Sequence, residues 1–261
     1  MIKLSVRAIA QYLVSDPATR LQLLRDRKFI APESIARARF YSEARTSITA
    51  YHRGALSRDM IEARVVSMRR EARYANPSQS CELMHNADVL ERYLYYQGHR
   101  ELELAPPPTA DLVRSDVVIA VRPSLFAIEH GERRLIFLEL REAPRRAAMR
   151  IDPTGGAAPR PAGRAVGVPT PRDSLSLIAE LAFEAFRPVL WNLAPRSVQV
   201  VDVRRGIVNE LQAAGSAIGR DLAEACKTIS QLWPQLGPRP GTQPEPRPTE
   251  RQMAIAWDVE S

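Results

Sequence analysis

The chain reads as an α/β (α+β) protein, a mixed central sheet flanked by helices and preceded by a helical N-terminal extension. Three observations predict this. The stretch Leu112–Arg141 carries strand-length apolar runs, Asp116–Ile128 and Leu135–Leu140, around the turn signal Glu129-His130-Gly131-Glu132. Residues 80–96 place Leu83, Ala87, Leu90 and Leu94 on one helical stripe. Beyond the hairpin, an apolar helix, a strand and a second amphipathic helix follow in order.

The elements follow from the N-terminus. Residues 4–30 read as two short helices, capped by Ser5 and opened by Asp16-Pro17. Pro32-Glu33-Ser34 restarts a helix that runs to about Tyr74, with a break at Gly54 and Ser57. Its part 58–73 alternates acids and arginines, the pattern of a solvated face held by i,i+4 pairs, or alternatively a basic flank for phosphates. Asn76-Pro77 ends it. Glu101–Leu104 is a short strand, and Ala105–Pro108 an extended connector. The central strands are 116–128 and 134–141. Residues 143–173 lack any hydrophobic period and read as a flexible insertion. Asp173-Ser174 caps a helix to 187, Ser197–Val203 is a strand with a turn at Arg205-Gly206, and 216–233 is the last helix. The Pro-rich tail 237–261 reads as disordered, with Met253–Val259 as a minor strand candidate. The expected organisation is 1–79, extension; 80–236, core; 237–261, tail.

Composition narrows the partners. The net charge is +7, which favours anionic partners, nucleic acid first. The lysines are only Lys3, Lys28 and Lys227, so arginine carries the excess, as the codon bias of a GC-rich bacterial genome would also produce. No apolar run is long enough for a transmembrane helix, and the first residues lack a signal-peptide pattern, so no membrane partner and a cytoplasmic location are expected. Cys81 and Cys226 are too few for a disulfide framework or zinc site and read as small buried hydrophobes. His52, His85, His99 and His130 show no metal-ligand spacing, and no P-loop, G-x-G-x-x-G or G-x-S-x-G motif occurs.

Pro123-Ser124, a hairpin, and Glu139-Leu140-Arg141 together resemble the PD-(D/E)XK nuclease superfamily, whose pattern is Pro-Asp, a hairpin, then Glu-x-Lys. The opening LSVRAIAQYL with Lys28-Phe29 is similar to its RecB-like branch; that branch's iron–sulfur cysteine has no counterpart beside Pro17, where Asp16 and Ala18 stand. The resemblance implies an αβββαβ restriction-endonuclease-like core and, for active members, Mg²⁺-dependent phosphodiester hydrolysis. It places Ser124 at the metal-binding Asp, Glu139 at the retained Glu and Arg141 at the Lys. A hydroxyl is a poor sole Mg²⁺ ligand, and arginine stays protonated. Asp116 is the candidate rescue carboxylate, with Glu129 a second. Glu91 or His85 stands for the residue on the preceding helix that helps hold metal in that branch. The candidate catalytic residues are therefore Glu139, Arg141, Asp116 and Ser124, and the metal ligands Asp116, Glu139, Glu91 and His85. Arg122, Arg133, Arg134 and Arg141 are the candidate nucleic-acid contacts. The leading expectation is a degenerate, weak or inactive site on a protein that binds DNA or a protein partner. The alternatives are an active Mg²⁺-dependent endo- or exonuclease of repair, recombination or defence, and a non-catalytic scaffold subunit.

Overall fold

The computed structural model describes residues 1–29, 40–140, 173–213 and 218–237. Arg141, the predicted insertion 143–173 apart from Asp173, the predicted helix start at Pro32 and the tail from 238 lie outside the described residues. The architecture is mixed α/β, with two sheets. One is three-stranded, in the order β1 (Ile2–Ser5), β4 (Val117–Val121), β3 (Ala110–Arg114). The other is five-stranded: β2 (Glu103–Ala105), β5 (Leu125–Glu129), β6 (Glu132–Glu139), β7 (Val198–Asp202) and β8 (Ile207–Glu210). The helices are α1 (Val6–Val14), α2 (Pro17–Lys28), α3 (Ser42–His52), α4 (Arg58–Glu71), α5 (Pro77–Tyr96), α6 (Ser174–Phe186) and α7 (Ile218–Leu232).

Local chemistry sets most boundaries. Ser5, Asp16, Ser57, Asn76 and Asp173 each accept a backbone N–H at a helix start. Gly54 (φ +71°) breaks the chain between α3 and α4. The β5–β6 hairpin turns on His130 and Gly131, both at positive φ, with Glu129 opposite Glu132. That is the two-residue primed turn whose twist suits a hairpin.

The run 116–128 is a correction. It is not one strand but two, in different sheets. Pro123 has no N–H to give a ladder, so the chain leaves the small sheet after Val121 and enters the large one at Leu125. The N-terminal segment, read as helical, carries β1, which pairs in parallel with β4 from Ile2↔Val117 to Ser5↔Ala120. β3 and β8 are further strands that the sequence pattern did not signal. Within the large sheet β6 and β7 are parallel, joined through α6, and the other neighbours are antiparallel.

The alternation of side chains along β6 divides the interior into two cores. Leu135 and Phe137 face α1, α6 and α7, in a core that also takes Val117, Ile119 and Val121 of the small sheet. Ile136, Leu138 and Leu140 face α3, α4 and α5. Cys226 is buried as expected, and burial pushes its thiol up to about 11. Cys81 is exposed instead, on the outer side of α5. No helix among the described residues is long and apolar enough to cross a membrane.

Candidate functional site

The carboxyl end of β6 is where the resemblance places chemistry. Glu139 points to the α1 side, in line with Leu135 and Phe137. There Arg7, in the first turn of α1, meets it, with Nε 3.3 Å from Oε2 and both side chains less than a fifth exposed. Arg7 Nη2 also donates to the Leu138 carbonyl. The parallel β1–β4 pairing fixes where α1 starts, and so delivers Arg7 to the strand end. Ser124 faces the same strand end, and its hydroxyl accepts the Leu138 N–H at 3.0 Å. The serine thus carries a structural bond between the β5 entry and β6.

Asp202 is the neighbour of Glu139 in the parallel β6–β7 register and is 5% exposed. It accepts the Arg205 N–H at 3.1 Å and lies 3.6 Å from Arg205 Nε. Sequence reasoning missed Arg7 and Asp202. Arg7 lies 131 residues from Leu138, and nothing local in either segment signals the meeting.

The remaining predicted ligands do not converge on Glu139. Asp116 sits in the turn between β3 and β4, where its carbonyl accepts the Ile2 N–H. It is at the far end of β4, five residues or about 16 Å of strand from Val121. His85 lies on the opposite face of the sheet, because α5 packs against the even-numbered residues of β6. Its Nδ1 is 2.6 Å from Arg204 Nη2, so that nitrogen accepts from a group that can only donate. Phe40 and Tyr41 pack around the ring, and Arg204 Nε donates to the Leu140 carbonyl. Glu91 is on the outer face of α5, paired with Arg69 at 2.7 Å. Glu129 is at the turn end of the hairpin, away from Glu139. Arg141 lies outside the described residues.

A Mg²⁺ site of the implied kind does not fit these side chains. It needs several hard oxygen ligands in octahedral array. Among the described residues no three His, Cys, Asp or Glu side chains are grouped so that they could hold a metal. Of the implied set only Glu139 and Ser124 share a strand end, and each has a protein partner there.

The arginines divide in the same way. Arg122 bonds the Ala110 and Val121 carbonyls and pairs with Asp111 at 2.9 Å. Arg134 is 3.4 Å from Glu129 and 2.8 Å from Glu132. Arg133 is exposed. In the charged stretch 58–73, Arg58 pairs with Glu62, and Arg64 with Glu43 and Glu71, which is the solvated-face pattern.

A buried polar network occupies the turn end of the hairpin, on the α5 side. Arg100 makes a two-pronged bond to Glu129 at 2.7 and 2.8 Å, and its Nη2 also donates to Gln199 Oε1 at 2.7 Å. Gln199 passes the chain on to Glu210 at 2.8 Å. The Arg100 bond holds the Glu129 carboxyl below the usual glutamate range against the opposing effect of burial. Nearby, His52 Nε2 lies 2.7 Å from Tyr93 Oη, and Tyr51 Oη donates to the Gly98 carbonyl. Burial, then the Arg100 charge, lowers His52 to about 4, and Glu129 pulls weakly the other way.

That shift has a sign. The unfolded chain protonates His52 near pH 6.5, the folded chain only near 4. Between these values the unfolded state binds more protons, so stability falls as pH drops from about 6.5 to about 4. His52→Gln is expected to flatten that part of a plot of urea midpoint against pH. An unchanged slope would assign the acid sensitivity to other groups.

No family model, no curated protein and no solved structure matches the chain.

Proposed function

We propose that this chain is a nuclease-fold protein that binds nucleic acid without cutting it. The observation that carries the reading is the Arg7–Glu139 pair. The carboxylate that would anchor a metal is instead held by a cation from the N-terminal helix. The order of elements supports the fold half: along the large sheet α5, β2, β5, β6, α6 and β7 follow as αβββαβ, with β3 and β4 of the small sheet inserted between β2 and β5. The net charge of +7 supports an anionic partner. Arg7 meets that carboxylate with a planar guanidinium, whose several donors suit carboxylate oxygens. Mg²⁺, which sheds its waters reluctantly, has little to gain there.

The test is a cleavage assay on labelled single- and double-stranded DNA with millimolar Mg²⁺ or Mn²⁺, alongside a binding assay across salt. The expected result is no product and retention that weakens as salt rises, because counterions are released on binding. The double change Ser124→Asp with Arg141→Lys restores the motif and is the constructive arm. Metal-dependent cleavage by the unmodified protein, lost in Glu139→Ala, would overturn the reading. One observation favours that rival: Asp202 sets a second carboxylate beside Glu139 on the same face. If cleavage is seen, Asp202→Ala is expected to abolish it too.

A further inference from the structure

The α6-facing side of the large sheet has a basic, aromatic end far from Glu139. Glu103, Ile128 and Arg133 are successive register partners across β2, β5 and β6, so their side chains share this face. The parallel β6–β7 ladder begins at Leu135↔Val198. Arg133 stands two residues earlier on β6, and Arg196 stands just before β7, in the 3-10 turn Pro195–Ser197. Arg134 Nη1 donates to the Arg196 carbonyl at 3.0 Å and fixes that approach. Arg134 also takes Glu132, the acid beside Arg133 on its own strand. Arg133, Arg187 and Arg196 are exposed and form no ion pair among the described residues.

The link from α6 to Arg196 presents Trp191, which is 84% exposed. Its outward position is built in. Leu190 and Leu193 on either side pack into the core below, and Asn192 takes the left-handed conformation (φ +57°) between them. Val189 adds exposed apolar surface. An indole held out of the core on the same link as the exposed Arg187 and Arg196 offers a π-face and phosphate partners together.

We propose that this face binds single-stranded nucleic acid, with a base stacked on Trp191 and phosphates on Arg133, Arg187 and Arg196. The proposal rests on the nucleic-acid reading above and names its interface. A single strand is the occupant because stacking on a side chain needs an unpaired base, whereas a duplex shows only its backbone and grooves. Glu103, at the other end of the row, bounds the basic strip and directs the strand from Arg133 toward Arg196 and Trp191. The surface is separate from the Glu139 end, so binding here does not require the degenerate site.

The experiment titrates the full chain with a 20-nucleotide oligothymidylate and with a 20-base-pair duplex, reading anisotropy and tryptophan emission at several salt concentrations. The expected result is quenching by the oligothymidylate and tighter binding to it than to the duplex. Trp191→Ala is expected to weaken single-strand binding about tenfold with the salt slope unchanged, and Trp191→Phe to restore part of the loss. Arg133→Ala with Arg196→Ala is expected to weaken binding and to lower the slope by about 1.4, roughly 0.7 for each phosphate no longer neutralised. The three substituted residues are exposed, so thermal melts should coincide with the parent. If the parent binds the oligothymidylate and the variants bind it equally well, this interface is wrong and the nucleic-acid reading survives. A preference for duplex also overturns the stacking assignment. If the parent binds neither probe at low salt, both readings fall and a protein partner takes their place.

Discussion

Arg100→Met is expected to lower unfolding stability by about 3–5 kcal/mol at neutral pH, the typical cost of leaving one member of a buried ion pair alone. The pair is well placed for so large an effect. Arg100 and Glu129 side chains are 10% and 11% exposed, and the guanidinium holds both carboxylate oxygens and Gln199. Removing the arginine strands Glu129 at the hairpin turn with only Arg134, whose nearest approach is 3.4 Å. Urea unfolding followed by circular dichroism checks this. The pH dependence supplies a second arm. A carboxylate whose folded pKa is depressed contributes stability above its unfolded value and loses it as pH falls through the folded one. The parent should therefore lose stability below the ordinary glutamate range, and Arg100→Met should lose less there, having little left to lose. A loss below 1 kcal/mol would mean that the network is solvated and does not hold the turn.

Phe186→Ala is the second large effect, also about 3–5 kcal/mol. Phe186 closes α6 and is fully buried, in a core shared by both sheets. α6 is the crossover between β6 and β7, so a cavity at its end touches the parallel pair and the small sheet together. The unfolding should remain one transition with its denaturant slope unchanged and its midpoint lowered. Two transitions, with α1 and the small sheet melting first, would show that the sheets are independent units.

The hairpin 125–139 was legible because its turn residues and its apolar runs point the same way. Helix α5 was legible from its stripe, and the starts of α1, α2 and α6 from their caps. β1 was not, because Ile2–Ser5 is too short for a period and Ser5 already reads as a cap. β8 was not, because Ile207 and Val208 sit side by side on an exposed edge and show no alternation. Asp116 failed as a ligand for a topological reason: the break at Pro123 sends its strand into another sheet. His85 and Glu91 failed because a helical wheel ranks faces without saying which side of a sheet the helix will cover. Arg7 and Arg100 matter through partners 131 and 29 residues away, respectively, and such separations leave no mark in a local pattern.

The pairing of β1 with β4 also sets an order of events during folding. The core under α3, α4 and α5 draws mostly on residues 44–140, and its elements are near one another in the chain. The core around α1 cannot close that way. β1 must wait for residues 117–120, α1 packs against α6, and Lys28 of α2 donates to the carbonyls of Trp233 and Leu236. Each of these pairings spans more than a hundred residues, and loop closure must precede the energy they return. On a ribosome the α3–α5 half can assemble while the N-terminal strand is still unpaired. The nascent chain therefore carries an open β-edge until residues 117–120 are made, and α7, the last helix among the described residues, is needed before the first strand's core can seal.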